Sequence, residues 1–387
     1  MSTRRRLGRT REALKPDNID FPFLLLTLIL LAIGLLMVFS AGSVLGYNSK
    51  QNAYYYFFQQ LKWALVGGTL AAIITLIPYY TWRKLAGFGI ILSIAFLVMV
   101  LFSEASVAAK GSARWLDLGF MQIQPSEIAK LALILFYAHM LDRYPVRKVT
   151  DAVVPVLVLL VIAALVYKQP DLGTTMVLLA TCGAMLLMTE LKTRVFIIAI
   201  PVIVIPVLYL IRHTPYQWQR ILAWLDPWGY ASSLGYQITN AQIAFGSGGL
   251  FGVGPGRGLQ KYGFLPENHT DMIFAVIGEE FGLLGTTVVI GLFMLLFARG
   301  YQIARQCPDR FGRLLAFGIT SCLAIQTTFN LGVVTGVFPV TGITLPLISY
   351  GGSSLIMTLI EIGLILNISR YRQPAVVASP EKTSLSL

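Results

Sequence analysis

The sequence predicts an all-α polytopic membrane protein with ten transmembrane helices and both termini cytoplasmic. Three observations predict it. Of 387 residues, 56% are hydrophobic and only 12% are charged, against roughly 25% charged in a soluble domain. Apolar runs of about 18 or more residues, long enough to cross a bilayer as helices, recur along the whole chain. Lys and Arg collect in alternate connecting segments, as they do on the cytoplasmic side of membrane proteins.

The runs lie near 21–41, 58–77, 85–102, 125–141, 152–167, 172–189, 195–211, 271–298, 314–334 and 350–368. With the N-terminus inside, the first inner segment holds Arg4, Arg5, Arg6, Arg9, Arg11 and Lys15. The next inner segments hold Arg83 and Lys84, then Arg143, Arg147 and Lys148, then Lys192 and Arg194. Arg299, Arg305, Arg310 and Arg313 follow, and Arg370, Arg372 and Lys382 close the series. About two thirds of the 30 basic residues thus fall on one side, and the inverse orientation reverses the bias. The net charge of +12 is therefore a topology signal, and no nucleic-acid partner is expected. Cys182, Cys307 and Cys322 form no paired framework and no metal spacing. The first run is read as a span, because no convincing small-residue cleavage pattern follows it.

Three regions result. Residues 1–20 are a basic cytoplasmic tail that sets orientation and touches anionic membrane lipid. Residues 21–371 are the transmembrane domain. Residues 372–387 are a polar cytoplasmic tail with a disordered composition. Two outer segments stand out. In 103–124, Lys110-Gly111-Ser112-Ala113-Arg114-Trp115 runs toward Gln124-Pro125-Ser126, where Pro125 and Glu127 make a good helix start. The large outer loop between spans seven and eight, 212–270, is too aromatic for disorder. Its Tyr216, Trp218, Trp224, Trp228 and Tyr230 suit an interfacial amphipathic segment. Seven glycines between Gly246 and Gly258 suggest a phosphate loop, but no Gly-Lys-Ser/Thr follows. The plainer reading is backbone packed closely against helices. No internal repeat is visible, which weighs against an inverted-repeat transporter.

Ionisable residues in spans cost several kcal/mol unless paired or wetted, so each is a candidate functional group. Glu127 and Lys130 share one helical face near the outer end of span four. They are either a mutual ion pair or a hold on an anionic headgroup. Asp171, in Gln169-Pro170-Asp171-Leu172-Gly173-Thr174, is a helix-start acid, a third member of that cluster, or both. Glu279 and Glu280 lie on the helix that Asp271 is expected to open, and one of them shares its face. Gln326, Asn330 and Glu361 read as interhelical hydrogen-bonding groups. His269 has neither a nucleophile nor a metal set beside it. Asp271 itself, at the water–hydrocarbon edge, is either a catalytic base or a helix cap. A helix start favours its carboxylate and weakens it as a base.

Five motifs then carry a family resemblance: Gly111–Trp115, Ile123–Lys130, Gln169–Thr174, Leu265–Asp271 and Leu345–Ser354. In this order on ten spans, from about Asp20 to Tyr371, the chain resembles the SEDS proteins (shape, elongation, division and sporulation). Gln260-Lys261 and Thr341–Pro346 favour the FtsW/SpoVE branch over RodA. Met272, where phenylalanine is usual, and the cationic Pro255-Gly256-Arg257 are departures. The resemblance implies a peptidoglycan glycosyltransferase that polymerises lipid II in cell division. It makes Asp271 the catalytic base and Arg114, Glu127, Lys130, Asp171, Lys261 and Glu280 substrate-binding positions. It also implies a class B penicillin-binding protein as partner, with divisome proteins, and a site facing outward. No cofactor is implied, and a divalent cation is left open. Competing classes are a lipid II flippase that uses the same polar groups, a non-catalytic division scaffold, and an elongation or sporulation polymerase.

Overall fold

The computed structural model describes residues 18–371, apart from 103–105, 110, 111, 118, 120 and 121. The basic tail before residue 18, Lys110, Gly111 and the polar tail after Tyr371 lie outside the described residues. A helix covers every predicted apolar run. In order these are α1 Phe21–Lys50, α2 Tyr55–Leu76, α3 Ala86–Phe102, α4 Pro125–Arg143, α5 Val153–Lys168, α6 Leu172–Leu187 and α7 Thr193–His213. Two further helices, α8 Pro215–Leu225 and α9 Tyr236–Gly248, precede α10 Ile273–Gln306, α11 Arg310–Val334 and α12 Gly352–Ser369. Seven segments, those of α1, α2, α3, α5, α10, α11 and α12, are long and apolar enough to cross a membrane. The protein is thus a mostly helical, multi-pass membrane protein.

The all-α expectation needs correction in the 103–124 segment. β1 Ser106–Ala109, β2 Ser112–Asp117 and β3 Gln122–Ile123 form an antiparallel sheet in the order β1-β2-β3. Backbone outside the hydrocarbon must still find partners, and a short meander lets each strand supply its neighbour's. The 212–270 loop is also less open than expected, because α8 and α9 fill much of it. Trp224 in α8 donates from Nε1 to the Gly336 carbonyl at 2.8 Å, fastening the loop to the end of α11.

Burial separates inner from outer helices. Most of α12 and much of α11 are buried, whereas α1, α2 and α5 leave large apolar side chains such as Leu36, Leu65 and Leu157 exposed. Such a surface would be a defect in water; in lipid it matches the solvent. Close packing inside depends on small residues. A Cβ on Gly363 of α12 would stand 2.8 Å from the Ala71 carbonyl oxygen of α2.

One end of the bundle is tied by charge. Asp20 caps α1 by accepting from the Phe23 amide at 3.1 Å, and it pairs with Arg299 of α10 at 2.8 Å. Arg83 pairs with Asp142 at 2.6 Å and reaches Asp309, the cap of α11, at 3.8 Å. These residues lie in or beside the segments rich in Lys and Arg.

α10 is not one continuous rod. Gly282 breaks it with φ 67° and ψ −161°, a conformation essentially reserved for glycine. The break frees backbone groups that the glycine-rich loop takes up. The Val253 and Gly254 amides donate to the Glu279 and Glu280 carbonyls at 3.0 and 3.1 Å. In return, the Leu283 and Leu284 amides donate to the Gly249 and Leu250 carbonyls at 2.9 and 3.1 Å. Gly252 has no room for a side chain, since a Cβ there would lie 2.2 Å from the Glu280 carbonyl oxygen. The glycines serve close backbone contact with a helix, as the plainer sequence reading expects.

Candidate active site

The site is organised around the coil 335–351, which joins α11 to α12 without regular structure. From residue 343 on it passes through the interior instead of over the surface, so its backbone groups need partners from the helices. Gln60 of α2 donates from Nε2 to the Ser349 carbonyl at 3.0 Å. A Cβ on Gly34 of α1 would stand 2.3 Å from the Leu347 carbonyl oxygen, and one on Gly173 of α6 would stand 2.6 Å from Ile343 Cγ1.

The Asp271 turn is fixed largely through its backbone. Three successive carbonyls are occupied. The Tyr350 amide donates to the His269 carbonyl at 2.9 Å, and Ser349 Oγ donates to that of Thr270 at 2.6 Å. Asn330 of α11 donates from Nδ2 to the Asp271 carbonyl at 2.8 Å and to that of Ile343 at 2.7 Å. One amide nitrogen therefore ties the acid's turn to the coil. Gly342 sits across from the carboxylate, and a Cβ on it would lie 3.9 Å from Asp271 Oδ2. Asp271 is buried, at 7% exposure, and Tyr56, His269 and Tyr350 gather into an aromatic group around His269 of the same turn. The expected place of Asp271 at the head of a helix is corrected here. α10 begins at Ile273 with Met272 at the N-cap, so Asp271 belongs to the preceding turn. The cause is local: the Met272 amide is taken by the Glu267 carbonyl at 3.1 Å, closing a turn before the helix starts.

A polar seam extends from this turn. Lys130 pairs with Glu127 at 3.0 Å and donates to Gln326 Oε1 at 2.5 Å. Gln326 passes the connection on, donating from Nε2 to the Thr344 carbonyl of the coil at 3.1 Å. Asp171 caps α6, accepting from the Thr174 amide at 3.1 Å and from its hydroxyl at 2.8 Å. Gln124 donates from Nε2 at 3.4 Å to Asp171 Oδ2, the same oxygen that takes the Thr174 hydroxyl. Arg114 of β2 donates from Nε to the Gln169 carbonyl at 3.1 Å and from Nη2 to that of Pro170. The structure therefore links the Ile123–Lys130, Leu265–Asp271 and Leu345–Ser354 motifs through the coil, packs Gly173 of Gln169–Thr174 against it, and ties Arg114 of Gly111–Trp115 to Gln169 and Pro170.

Lys261 and Glu280 lie apart from this seam. They form a buried ion pair at 2.9 Å, 4% and 1% exposed. Ser40 Oγ donates to Glu280 Oε1 at 2.6 Å, and Lys261 also donates to the Gly256 carbonyl at 2.6 Å. Glu279 Oε1 accepts from the Leu259 amide at 2.8 Å. Both glutamates thus hold the glycine-rich loop. Sequence reasoning had no route to Ser40 or Gly342, and it gave Asn330 only a generic interhelical role. Asn330 could have been singled out, with Gln326 four residues before it, as an amide in an otherwise apolar span.

Buried charge inside a multi-pass bundle, with an acid clamped in a turn at one end, marks a candidate functional site within a membrane-embedded protein. A family model described as "Cell cycle protein", FTSW_RODA_SPOVE, matches residues 21–374, and the chain belongs to that family. It is thereby an enzyme of the peptidoglycan glycosyltransferase class. A "Probable peptidoglycan glycosyltransferase FtsW" of Geobacter sulfurreducens is 41% identical over 358 residues, covering 91% of this chain and 95% of that protein. "Stage V sporulation protein E" of Bacillus subtilis is 39% identical over 361 residues, covering 92% and 98%. Among solved structures, "Structural coordination of polymerization and crosslinking by a peptidoglycan synthase complex" superposes with a TM-score of 0.76 at 31% identity, covering 92% and 99%. The rod shape determining protein RodA of Thermus thermophilus superposes with 0.67 at 30% identity, covering 92% and 98%.

Proposed function

We propose that this chain crosses the membrane ten times with both termini inside, and that it polymerises lipid II on the outer face during cell division. In the reaction, the acceptor's GlcNAc 4-hydroxyl attacks the anomeric carbon of the donor's MurNAc. The new C–O bond forms as the bond to the lipid-linked phosphate breaks, undecaprenyl pyrophosphate leaves, and an α-linkage becomes β. One displacement with inversion needs one base and a stabilised leaving group, not two carboxylates for a covalent intermediate. Asp271 is the base and receives the hydroxyl proton. Arg114 and Lys130 offset charge on the departing pyrophosphate, while Glu127 and Asp171 hold their positions along the seam. Lys261 and Glu280 act from behind, by fixing the loop that faces the growing strand.

The observation that carries this reading is the anchoring of the His269, Thr270 and Asp271 carbonyls by Tyr350, Ser349 and Asn330. A base must be held to a fraction of an ångström, and a turn gripped by three successive carbonyls meets that demand. A class B penicillin-binding protein is the proposed partner, and the likeness to a chain of a peptidoglycan synthase complex supports it. Its membrane helix would seat on α10 and α11, where α10 exposes Leu283, Leu284, Val288 and Met294.

The test is to give purified protein and partner lipid II and run the glycan products on a gel. Wild type makes long strands. Asp271→Ala is expected to fold, bind the partner and make none, a loss of about 10²–10⁴-fold. Normal strands from the variant would remove the assignment. Transport of labelled lipid II in liposomes without polymerisation would favour the flippase.

A further inference from the structure

At the end of the bundle away from Asp271, a cavity of about 600 Å³ opens between α3, α4 and the short 3-10 helix before α3. The chain's reaction gives it no role. Among its lining residues are Arg83, Lys84, Gly87, Phe136, His139 and Arg143. We infer that this cavity binds the phosphate headgroup of an anionic phospholipid from the inner leaflet.

Charge points that way first. Arg83 is already spoken for, since Asp142 and Asp309 flank it and Phe311 lies beneath its guanidinium at 4.8 Å. Lys84 and Arg143 differ. Among the described residues neither has a carboxylate within ion-pair distance, and Arg143 lies 5.5 Å from the Tyr144 ring. Two uncompensated cations at one cavity are repulsive unless an anion joins them. Hydrogen bonding points the same way. Arg83 Nε and His139 Nδ1 are both shielded from solvent and lack a partner. The Arg83 Nε donor in that condition costs free energy until an acceptor arrives, and His139 Nδ1 joins it as a donor when it carries the ring proton. A phosphate diester supplies both the charge and the acceptors.

Position decides between a lipid and a free anion. The cavity lies where the basic segments 83–84 and 143–148 meet the apolar ends of α3 and α4. Phe136 and Met140 extend its wall toward the hydrocarbon, while Tyr144 stands at the polar end. A soluble anion has no use for the apolar wall, but an acyl chain does. Basic pockets between transmembrane helices on the cytoplasmic side are recurrent anionic-lipid sites.

The structure also offers a way to block the cavity without touching its charges. A Cβ on Gly87 would meet nothing within 4 Å, so Gly87→Leu grows into open space. Full-length protein, delipidated in detergent, would be titrated with phosphatidylglycerol or phosphatidylcholine. Retained lipid would be read by native mass spectrometry and by the shift in melting temperature. Wild type is expected to retain phosphatidylglycerol in preference to phosphatidylcholine. Lys84→Ala with Arg143→Ala should weaken retention about thirtyfold, at roughly one step per lost cation, and Gly87→Leu should also weaken it. Elution volume and helical circular dichroism identify any misfolded variant, and the two variants fail by unrelated routes. Wild-type retention in both, equal retention of phosphatidylcholine, or displacement of the lipid by millimolar inorganic phosphate would each overturn the inference.

Discussion

Asp271 and Glu280 are both buried acids nine residues apart on one stretch of chain, and the molecule grips them at different points. Glu280 is gripped by its carboxylate, which takes Lys261 at 2.9 Å and Ser40 at 2.6 Å. Asp271 sits in a turn gripped by its main chain, through Asn330, Ser349 and Tyr350. The first arrangement spends a charge to fasten a loop to a broken helix. The second fixes a turn through three backbone carbonyls, and the carboxylate itself accepts from the Thr270 hydroxyl at 3.4 Å. Two acids of equal burial are thus held in different ways, one chiefly by its carboxylate and one chiefly through its turn.

Stability and activity should respond oppositely at the two acids. Asp271→Ala, with its large loss of polymerisation, should leave the melting temperature near that of wild type. Glu280→Ala should do the reverse first, stranding Lys261 and lowering stability by about 3–5 kcal/mol. Thermal unfolding in detergent reads this, and a Glu280→Ala protein as stable as wild type would break the contrast. Lys130→Ala is the next largest. As a group offsetting leaving-group charge, it should lower kcat by about tenfold to a hundredfold. Unchanged kinetics would make Lys130 a structural pair with Glu127.

Asn330→Ala tests the grip itself. Two carbonyls lose one donor, at a cost of about 1–3 kcal/mol, and kcat should fall while KM for lipid II holds. A variant with full kcat would show that the turn stands without its amide clamp. The smallest effect is expected at Asp171, where loss of the helix cap costs about 1 kcal/mol. Asp171→Ala should lower the melting temperature slightly. A loss of activity out of proportion to that shift would place Asp171 beside the substrate.

The spans were legible because lipid imposes one period and one length on every crossing segment. The sheet at 106–123 was not, since short strands in a polar outer segment give no run long enough to show a period. The break at Gly282 escaped because Phe281-Gly282-Leu283 is as apolar as its surroundings. What reveals the break is its partner, the backbone of 249–254, and that pairing is non-local. The same limit hid Ser40, 240 residues from Glu280. Asp271, Lys130 and Asp171 could be picked out singly, as polar groups in costly places. Their common anchor could not be. The coil 335–351 reads as a connector, and nothing in its composition says that from residue 343 on it runs through the interior.

That coil has a consequence for the order in which the protein comes into being. Asn330, Ser349 and Tyr350 all leave the ribosome after Asp271, by 59 residues or more. Until they arrive, the acid's turn lacks the three bonds that set it, whatever the earlier helices have already done in the membrane. Anchoring of the proposed base is in this sense a late event of synthesis. A chain stalled at the end of α10 would carry Arg114, Glu127, Lys130, Asp171, Lys261 and Glu280, yet would lack all three residues that anchor the Asp271 turn.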